Sequence, residues 1–123
     1  MSDGKQYTKI VRTDDDGSKF EDATIDLVSQ KIVEGVPPMR LGNLMSSAGA
    51  LYLTSEKFDS EAHPAPRQQW VVIIRGVLEV EVSNGEKRRF GPGDLLFVAD
   101  TTGKGHITTA IGDPPFEALF IPA

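Results

Sequence analysis

The stretch VLEVEVSNGEKRRF, residues 77–90, decides the fold. In its first six residues, apolar side chains alternate with the glutamates at positions 79 and 81, and this period is that of a strand with one buried and one solvated face. Asn84-Gly85 follows, and this dipeptide favours the tight turn of a β-hairpin. The stretch therefore predicts two antiparallel strands, over residues 77–82 and 87–90.

Further short segments with strand character lie on both sides of this hairpin. They are apolar or β-branched, and Gly-rich or Pro-rich turns separate several of them. Many short strands of this kind are typical of a sandwich or a barrel, and no convincing helical period is present. The sequence therefore predicts an all-β domain, with strands over residues 50–54, 70–75, 95–98, 106–111 and 116–121, an edge strand over 7–12 and looser alternation over 20–28.

Composition excludes several classes of protein. The 123 residues suffice for one hydrophobic core, and the net charge of −5 opposes binding to nucleic acid. Because the chain has no cysteine, it has no disulfide, no thiolate nucleophile and no Cys-based zinc site. No apolar run approaches the roughly 20 residues of a membrane span, and residues 1–5 lack an apolar signal core. We therefore expect a cytoplasmic protein without nucleic-acid or membrane partners.

Two motifs between residues 63 and 106 resemble those of the cupin superfamily. The first cupin motif places two histidines and a glutamate between glycines, and here His63 stands at the first histidine and Gly76 at the closing glycine. The second motif begins at Gly93, and its histidine is His106. The resemblance covers about half of the chain. It implies a single-domain antiparallel β-barrel over residues 1–123, of the double-stranded β-helix or jelly-roll type, with an irregular arm over about residues 1–46 and a barrel core over about 47–123.

The sequence departs from the cupin pattern at positions that usually hold metal. Ala65 stands in place of the second histidine and Gln69 in place of the glutamate. The loop before His106 is also two residues longer than the pattern, and three further departures are Lys57 for the opening glycine, Ala99 for a proline and Ala110 for an asparagine. These departures affect the metal site more than the fold. The resemblance implies where the site lies but determines no reaction.

The two histidines of the chain are predicted to meet in one pocket. Alternate side chains of an extended segment share a face, so His63, Arg67 and Gln69 would all point the same way. Cupin geometry makes that face the barrel interior, and His106 and Thr108 would arrive from a neighbouring strand. Histidine suits both proton transfer near neutral pH and metal ligation, so their convergence alone does not choose between the two.

Three charged residues accompany these histidines as candidate catalytic groups. Arg67 either stabilises a developing negative charge or forms a salt bridge with Glu61 or Asp100 at the barrel rim. Asp100 and Lys104 flank the Gly-rich loop before His106. Either this loop is a solvated turn capped by Asp100, or Asp100 orients His106 and Lys104 reaches over the mouth of the pocket.

The remaining candidates bind substrate or face away from the pocket. We predict that Gln69, Thr108 and Tyr52 contact substrate. Because strand residues alternate, Trp70 and its neighbours at positions 72 and 74 are predicted on the face opposite Gln69, where they serve the core or an interface. By resemblance to cupins we expect a homodimer.

Three functions remain open. The preferred one is an enzyme of isomerase, cyclase or lyase type that acts on a small organic molecule, with His63 and His106 as acid and base, Arg67 as a stabilising cation and no required cofactor. The second is a metal-dependent, oxygenase-like cupin, in which His63, Gln69 and His106 hold Fe, Zn, Ni or Mn. The third is a non-catalytic module that binds a small ligand in the barrel.

Overall fold

The computed structural model describes residues 4–31, 34–35, 37–42, 49–56, 61–113 and 115–123. Lys57 lies outside these ranges. Within them the chain forms strands and no helix, which confirms the predicted all-β class. The strands are β1 (Gly4–Arg12), β2 (Ser18–Asp26), β3 (Val28–Gln30), β4 (Met39–Leu41), β5 (Leu51–Ser55), β6 (Gln69–Arg75), β7 (Val77–Val82), β8 (Lys87–Phe90), β9 (Leu95–Val98), β10 (His106–Ile111) and β11 (Phe116–Pro122).

The strands form one large sheet, one small sheet and a short hairpin. The large sheet has the order β2-β1-β9-β6-β11-β5, the small one the order β10-β7-β8, and β3 pairs with β4. Neighbouring strands are antiparallel except for the parallel pair β1 and β9. Among the described residues no sheet closes on itself. The chain is therefore all-β in separate sheets, and the barrel stays a prediction.

The core lies between the large and the small sheet. Ile10, Val71 and Leu96 enter it from the large sheet, and Leu78 and Val80 enter it from the small one. In β7, Leu78, Val80 and Val82 are buried and the two glutamates only half-buried, so the alternation predicted for this strand is confirmed. The turn after β7 holds Gly85 at a φ of +92°, which a glycine adopts without steric cost.

The N-terminal segment is more regular than the predicted arm. β1 and β2 pair along their whole lengths, from Gly4 with Asp26 to Arg12 with Ser18. β1 lies between β2 and β9, so the predicted edge position of residues 7–12 is wrong. The mostly polar sequence of β1 does not indicate its position inside the sheet, because its backbone pairs with β9, a segment more than 80 residues away in the chain. Residues 1–3, 32–33, 36 and 43–46 of the arm lie outside the described ranges.

A second apolar cluster lies on the outer face of the large sheet. Trp70 packs there against Phe97, with ring centroids 4.9 Å apart, and against Tyr7 at 4.8 Å. The alternation of β6 therefore directs Trp70 away from the core that Val71 and Ile73 enter.

No helix long and apolar enough to span a membrane occurs in the described parts of the chain.

Candidate functional site

A cavity of about 170 Å³ lies between the two larger sheets. Most of its wall is apolar, and includes Val71, Leu78, Leu96, Val98 and Phe116. The polar side chains that line it are His63, Gln69, His106 and Thr108. The cavity therefore combines an apolar volume with a small set of hydrogen-bonding groups, which is the usual character of a small-molecule site.

The backbones of His63 and His106 pair directly with each other. The His63 N–H donates to the His106 carbonyl at 3.0 Å, and the His106 N–H donates to the His63 carbonyl at 3.0 Å. The centroids of the two imidazole rings are 5.3 Å apart. This isolated bridge brings the chain's two histidines to the same cavity from distant segments of the chain.

Gly105 makes this close pairing possible. Its φ of +72° lies in the left-handed region, and a Cβ on Gly105 would lie only 2.0 Å from the carbonyl carbon and oxygen of His63. Any other residue would therefore clash with the backbone of the bridge. The Gly105 carbonyl accepts a hydrogen bond of 2.7 Å from the buried Ser18 hydroxyl, and the Lys104 N–H donates to the Asp16 carbonyl at 2.9 Å. The turn between β1 and β2 thus holds the loop before His106.

A buried carboxylate orients the ring of His106. Asp100 has no solvent exposure, and its Oδ2 lies 2.7 Å from His106 Nδ1. Because a carboxylate only accepts hydrogen bonds, Nδ1 carries a proton and donates a hydrogen bond to Asp100. The Ala65 N–H in turn donates to the Asp100 backbone carbonyl at 2.9 Å. Of the two interpretations of Asp100, this geometry favours the orientation of His106 over a solvated turn.

The ring of His63 is oriented in the same way by a backbone group. Its Nδ1 lies 2.8 Å from the Glu61 carbonyl oxygen, which also only accepts, so Nδ1 donates. Within the described residues neither ring forms a hydrogen bond through Nε2. Both histidines therefore keep Nε2 for a bound molecule, because Nδ1 is already committed.

Arg67 does not take the predicted place among these groups. Residues 66–68 form a bend, which interrupts the alternation between His63 and Gln69. The Arg67 side chain is exposed and does not line the cavity. Its predicted inward orientation is thus corrected, and Asp100, one of its two suggested partners, pairs with His106 instead.

Lys104 and Tyr52 also lie away from the cavity. Lys104 is exposed beside a second surface cleft, which it forms with Ser83 and Gly85 and which His106 also lines. Tyr52 is 59% exposed on the edge strand β5, because the alternation of that strand directs Leu53 toward the core instead. Neither residue lines the cavity, so the predicted reach of Lys104 over its mouth and the predicted contact of Tyr52 with substrate are corrected.

The Tyr52 hydroxyl is instead bonded to the Glu117 carboxylate. This hydrogen bond raises the pKa of Tyr52 above its ordinary value of 10.0, because the neutral phenol donates to the carboxylate and the phenolate would be repelled. The bond therefore stabilises the fold at pH values below the ordinary pKa, and its contribution is lost as the pH rises through the raised pKa.

We expect Glu117→Gln to return the pKa of Tyr52 toward 10.0. The measurement is an ultraviolet titration of tyrosinate in a Tyr7→Phe background, in which Tyr52 is the remaining one of the two tyrosines. Glu79→Gln, which removes a carboxylate from the other sheet, is the matched control. An unchanged titration in Glu117→Gln would contradict the assignment.

Ser18 helps to hold the loop before His106, but the sequence gives no signal of this role. Ser18 lies 87 positions before Gly105, and its hydroxyl also accepts from the Ser83 N–H at 3.0 Å. In the sequence, this buried serine resembles many solvent-facing serines. Only the pairing of β1 with β2 and the approach of the later loop reveal what Ser18 and Ser83 do.

The donor set of the cavity is a poor match for a metal ion. His63, His106 and Gln69 offer two imidazole nitrogens and a neutral amide. No group of three His, Asp or Glu side chains suited to a metal occurs in the described part of the chain, and the Asp100 carboxylate is engaged by His106 Nδ1. These residues do not fit the two-histidine, one-carboxylate set of an iron oxygenase.

The sequence matches no model of a known protein family, and no curated protein matches it either. The geometry of the site is therefore the basis for any assignment of function.

Proposed function

We propose that the chain is a small single-domain cupin of jelly-roll type that performs acid–base catalysis on a small organic molecule in this cavity. The reaction is of the isomerase, cyclase or lyase type and requires no cofactor. One observation carries the proposal: two histidines line the same cavity, each with Nδ1 committed to an acceptor and with Nε2 unbonded among the described residues. The cupin assignment is supported by His63, Gln69 and His106, which stand at motif positions and line one cavity.

The pair of histidines suits proton transfer next to a carbonyl group. His106 Nε2 removes a proton from the carbon beside the carbonyl, the C–H electrons form a C=C bond, and the carbonyl π electrons move to oxygen. Protonated His63 then gives its Nε2 proton to that oxygen, so an enol forms and His106 holds the proton. In a substrate with a C=C bond or a hydroxyl group next to the reacting carbon, the intermediate is a dienol or an enediol. Return of the proton from His106 to a different carbon, while His63 takes the proton back from the enol oxygen, then completes an isomerisation and restores both rings.

The surroundings of each ring support these roles. The Asp100 carboxylate stabilises the imidazolium that forms on His106, as the aspartate of a catalytic triad does. The Glu61 carbonyl accepts the Nδ1–H of His63 whether that ring is neutral or charged. The apolar wall limits water and strengthens electrostatic interactions in the cavity. Turnover needs one ring neutral and the other protonated.

The test uses the exchange of carbonyl α-protons, which reports enolisation without knowledge of the product. Small ketones and lactones are incubated with the protein in D2O, and exchange is followed by NMR. We expect exchange with the wild-type chain and about a 10²- to 10⁴-fold loss of its rate in His106→Ala. Lys104→Ala, an exposed residue outside the cavity, is the control and should keep the rate. Exchange that survives in both His63→Ala and His106→Ala would contradict acid–base catalysis by these residues.

A metal-dependent cupin is the second candidate, and the anchoring of both Nδ1 atoms favours it. Histidines that bind metal through Nε2 usually donate Nδ1–H to a carboxylate or a backbone carbonyl, as His106 and His63 do here. His63, His106 and Gln69 would be the ligands of Fe, Zn, Ni or Mn. A stoichiometric metal in protein purified without added metal, absent from His63→Ala, would favour this candidate. A co-purified molecule in the cavity without any turnover would instead indicate a binding module.

A further inference from the structure

Gln69 is a buried polar residue whose side chain has no partner in the described structure. It is 5% exposed and lines the cavity, and within the described ranges its amide forms no hydrogen bond. Its amide atoms are not among the fully buried side-chain atoms without a partner, so they are accessible from the cavity. Its backbone is held firmly, because β6 lies between β9 and β11 and Gln69 pairs with Val98 and Pro122. An amide that faces an apolar cavity gains a hydrogen bond when a molecule with a polar group enters it. The side chain is therefore placed to bond a molecule in the cavity.

The charges around the cavity favour an uncharged molecule. Arg67 and Lys104 lie outside it, so the cation that an anion would meet on the described wall is the protonated His63 of the proposed reaction. The Asp100 carboxylate directly behind His106 opposes the entry of a second negative charge. An ammonium ion would meet no carboxylate on that described wall either, and it would lose its hydration among apolar side chains. Both kinds of ion are therefore disfavoured relative to a neutral molecule of the same shape.

The volume of the cavity limits the size of that molecule. Drug-sized ligands occupy pockets of about 300–1,000 Å³, whereas an apolar cavity of about 150 Å³ holds one benzene molecule. The cavity here measures about 170 Å³. Its occupant is thus a molecule with about one six-membered ring or an equivalent branched chain.

We propose that the substrate is an uncharged, single-ring carbonyl compound whose oxygen accepts a hydrogen bond from the side-chain amide of Gln69. This inference rests on the proposed function and names its substrate class. The apolar wall contacts the ring carbons, and the Gln69 N–H holds the carbonyl oxygen. The same hydrogen bond strengthens as negative charge develops on that oxygen during enolisation. Gln69 thus takes the stabilising role that Arg67 was predicted to have.

The test measures binding, so it does not depend on turnover. Four probes with the same ring are titrated into the full chain: cyclohexanone, methylcyclohexane, cyclohexanecarboxylate and cyclohexylamine, with histidine NMR signals as the readout. We expect cyclohexanone to bind at least tenfold more tightly than each of the two charged probes. Gln69→Leu should weaken cyclohexanone about tenfold and leave methylcyclohexane nearly unchanged, the equivalent of one buried hydrogen bond. Gln69→Glu should move the preference toward cyclohexylamine, and Arg67→Ala is the control without effect.

Each other result has a clear meaning. Tighter binding of the carboxylate, equal binding of cyclohexanone to wild type and Gln69→Leu, or no binding of any probe would overturn the inference. Selective cyclohexanone binding without catalysed α-proton exchange would support the recognition by Gln69 and contradict the catalytic proposal. Exchange that does not depend on Gln69 would contradict the inference alone.

Discussion

Asp100→Asn is expected to lower the rate of α-proton exchange by about 10²- to 10⁴-fold. The carboxylate is fully buried and accepts the Nδ1–H of His106 at 2.7 Å. An asparagine that turns its NH2 toward Nδ1 forces the ring proton onto Nε2, and the lone pair that removes the substrate proton is lost. An asparagine that turns its oxygen toward Nδ1 keeps the tautomer but no longer balances the imidazolium charge.

The structure gives the asparagine no clear preference between these two orientations. Asp100 Oδ1 is buried and has no hydrogen-bond partner among the described residues, so nothing there holds an amide one way round. Asp100 acts through His106 and is a positioning residue. Its variant should therefore change the nitrogen NMR shifts of the His106 ring, which report the tautomer, as well as the rate. A loss of stability alone would leave those shifts unchanged.

Asp113→Asn is the matched control for this experiment. It removes the same charge from an exposed turn between β10 and β11, and both the rate and the His106 signals should persist. If Asp100→Asn keeps the wild-type rate with a folded chain, His106 does not act as a base supported by Asp100.

Gly105→Ala should lower the free energy of unfolding by about 4 kcal/mol or more, a loss that few single substitutions cause. The φ of +72° costs an alanine about 1–2 kcal/mol. The added Cβ would also lie 2.0 Å from the carbonyl carbon and oxygen of His63. Since those atoms belong to the backbone bridge, relief of the clash requires His63 and His106 to separate.

Gly85→Ala separates the effect of conformation from that of the clash. Gly85 has a φ of +92°, and a Cβ there would meet nothing within 4 Å, so we expect a loss of only about 1–2 kcal/mol. The free energy of unfolding is measured by denaturant titration for both variants. Equal losses would show that the close approach of Gly105 to His63 does not stabilise the fold. Gly105→Ala should also abolish cyclohexanone binding, whereas Gly85→Ala should not.

Local pattern was enough to predict much of the fold. The alternation and the Asn84-Gly85 turn predict the β7–β8 hairpin at its observed bounds, because period and turn type depend on neighbouring residues. The position of β1 between β2 and β9 was not predictable in the same way. Its residues are mostly polar, and the hydrogen bonds that place it come from a distant strand.

The candidate site was likewise predicted from the sequence only in part. His63, Gln69, His106 and Thr108 line one cavity, but of these four only His106 and Thr108 lie within a strand that was predicted from the sequence. Arg67 was misplaced because alternation holds only while the backbone stays extended, and the chain bends at residues 66–68.

Most of the strands, the main turns and the set of polar residues available for chemistry follow from the amino-acid sequence alone, because they depend on residues within a few positions of one another. The pairing of β3 with β4 was not predicted. The three-dimensional packing instead determines which ring nitrogen of each histidine forms a hydrogen bond to the protein. That choice depends on acceptors at Glu61 and Asp100, and on the bridge that Gly105 permits and Ser18 supports. Hydrogen-bond geometry of this kind depends on how two sheets pack together, and the alternation of side chains along one strand does not predict it.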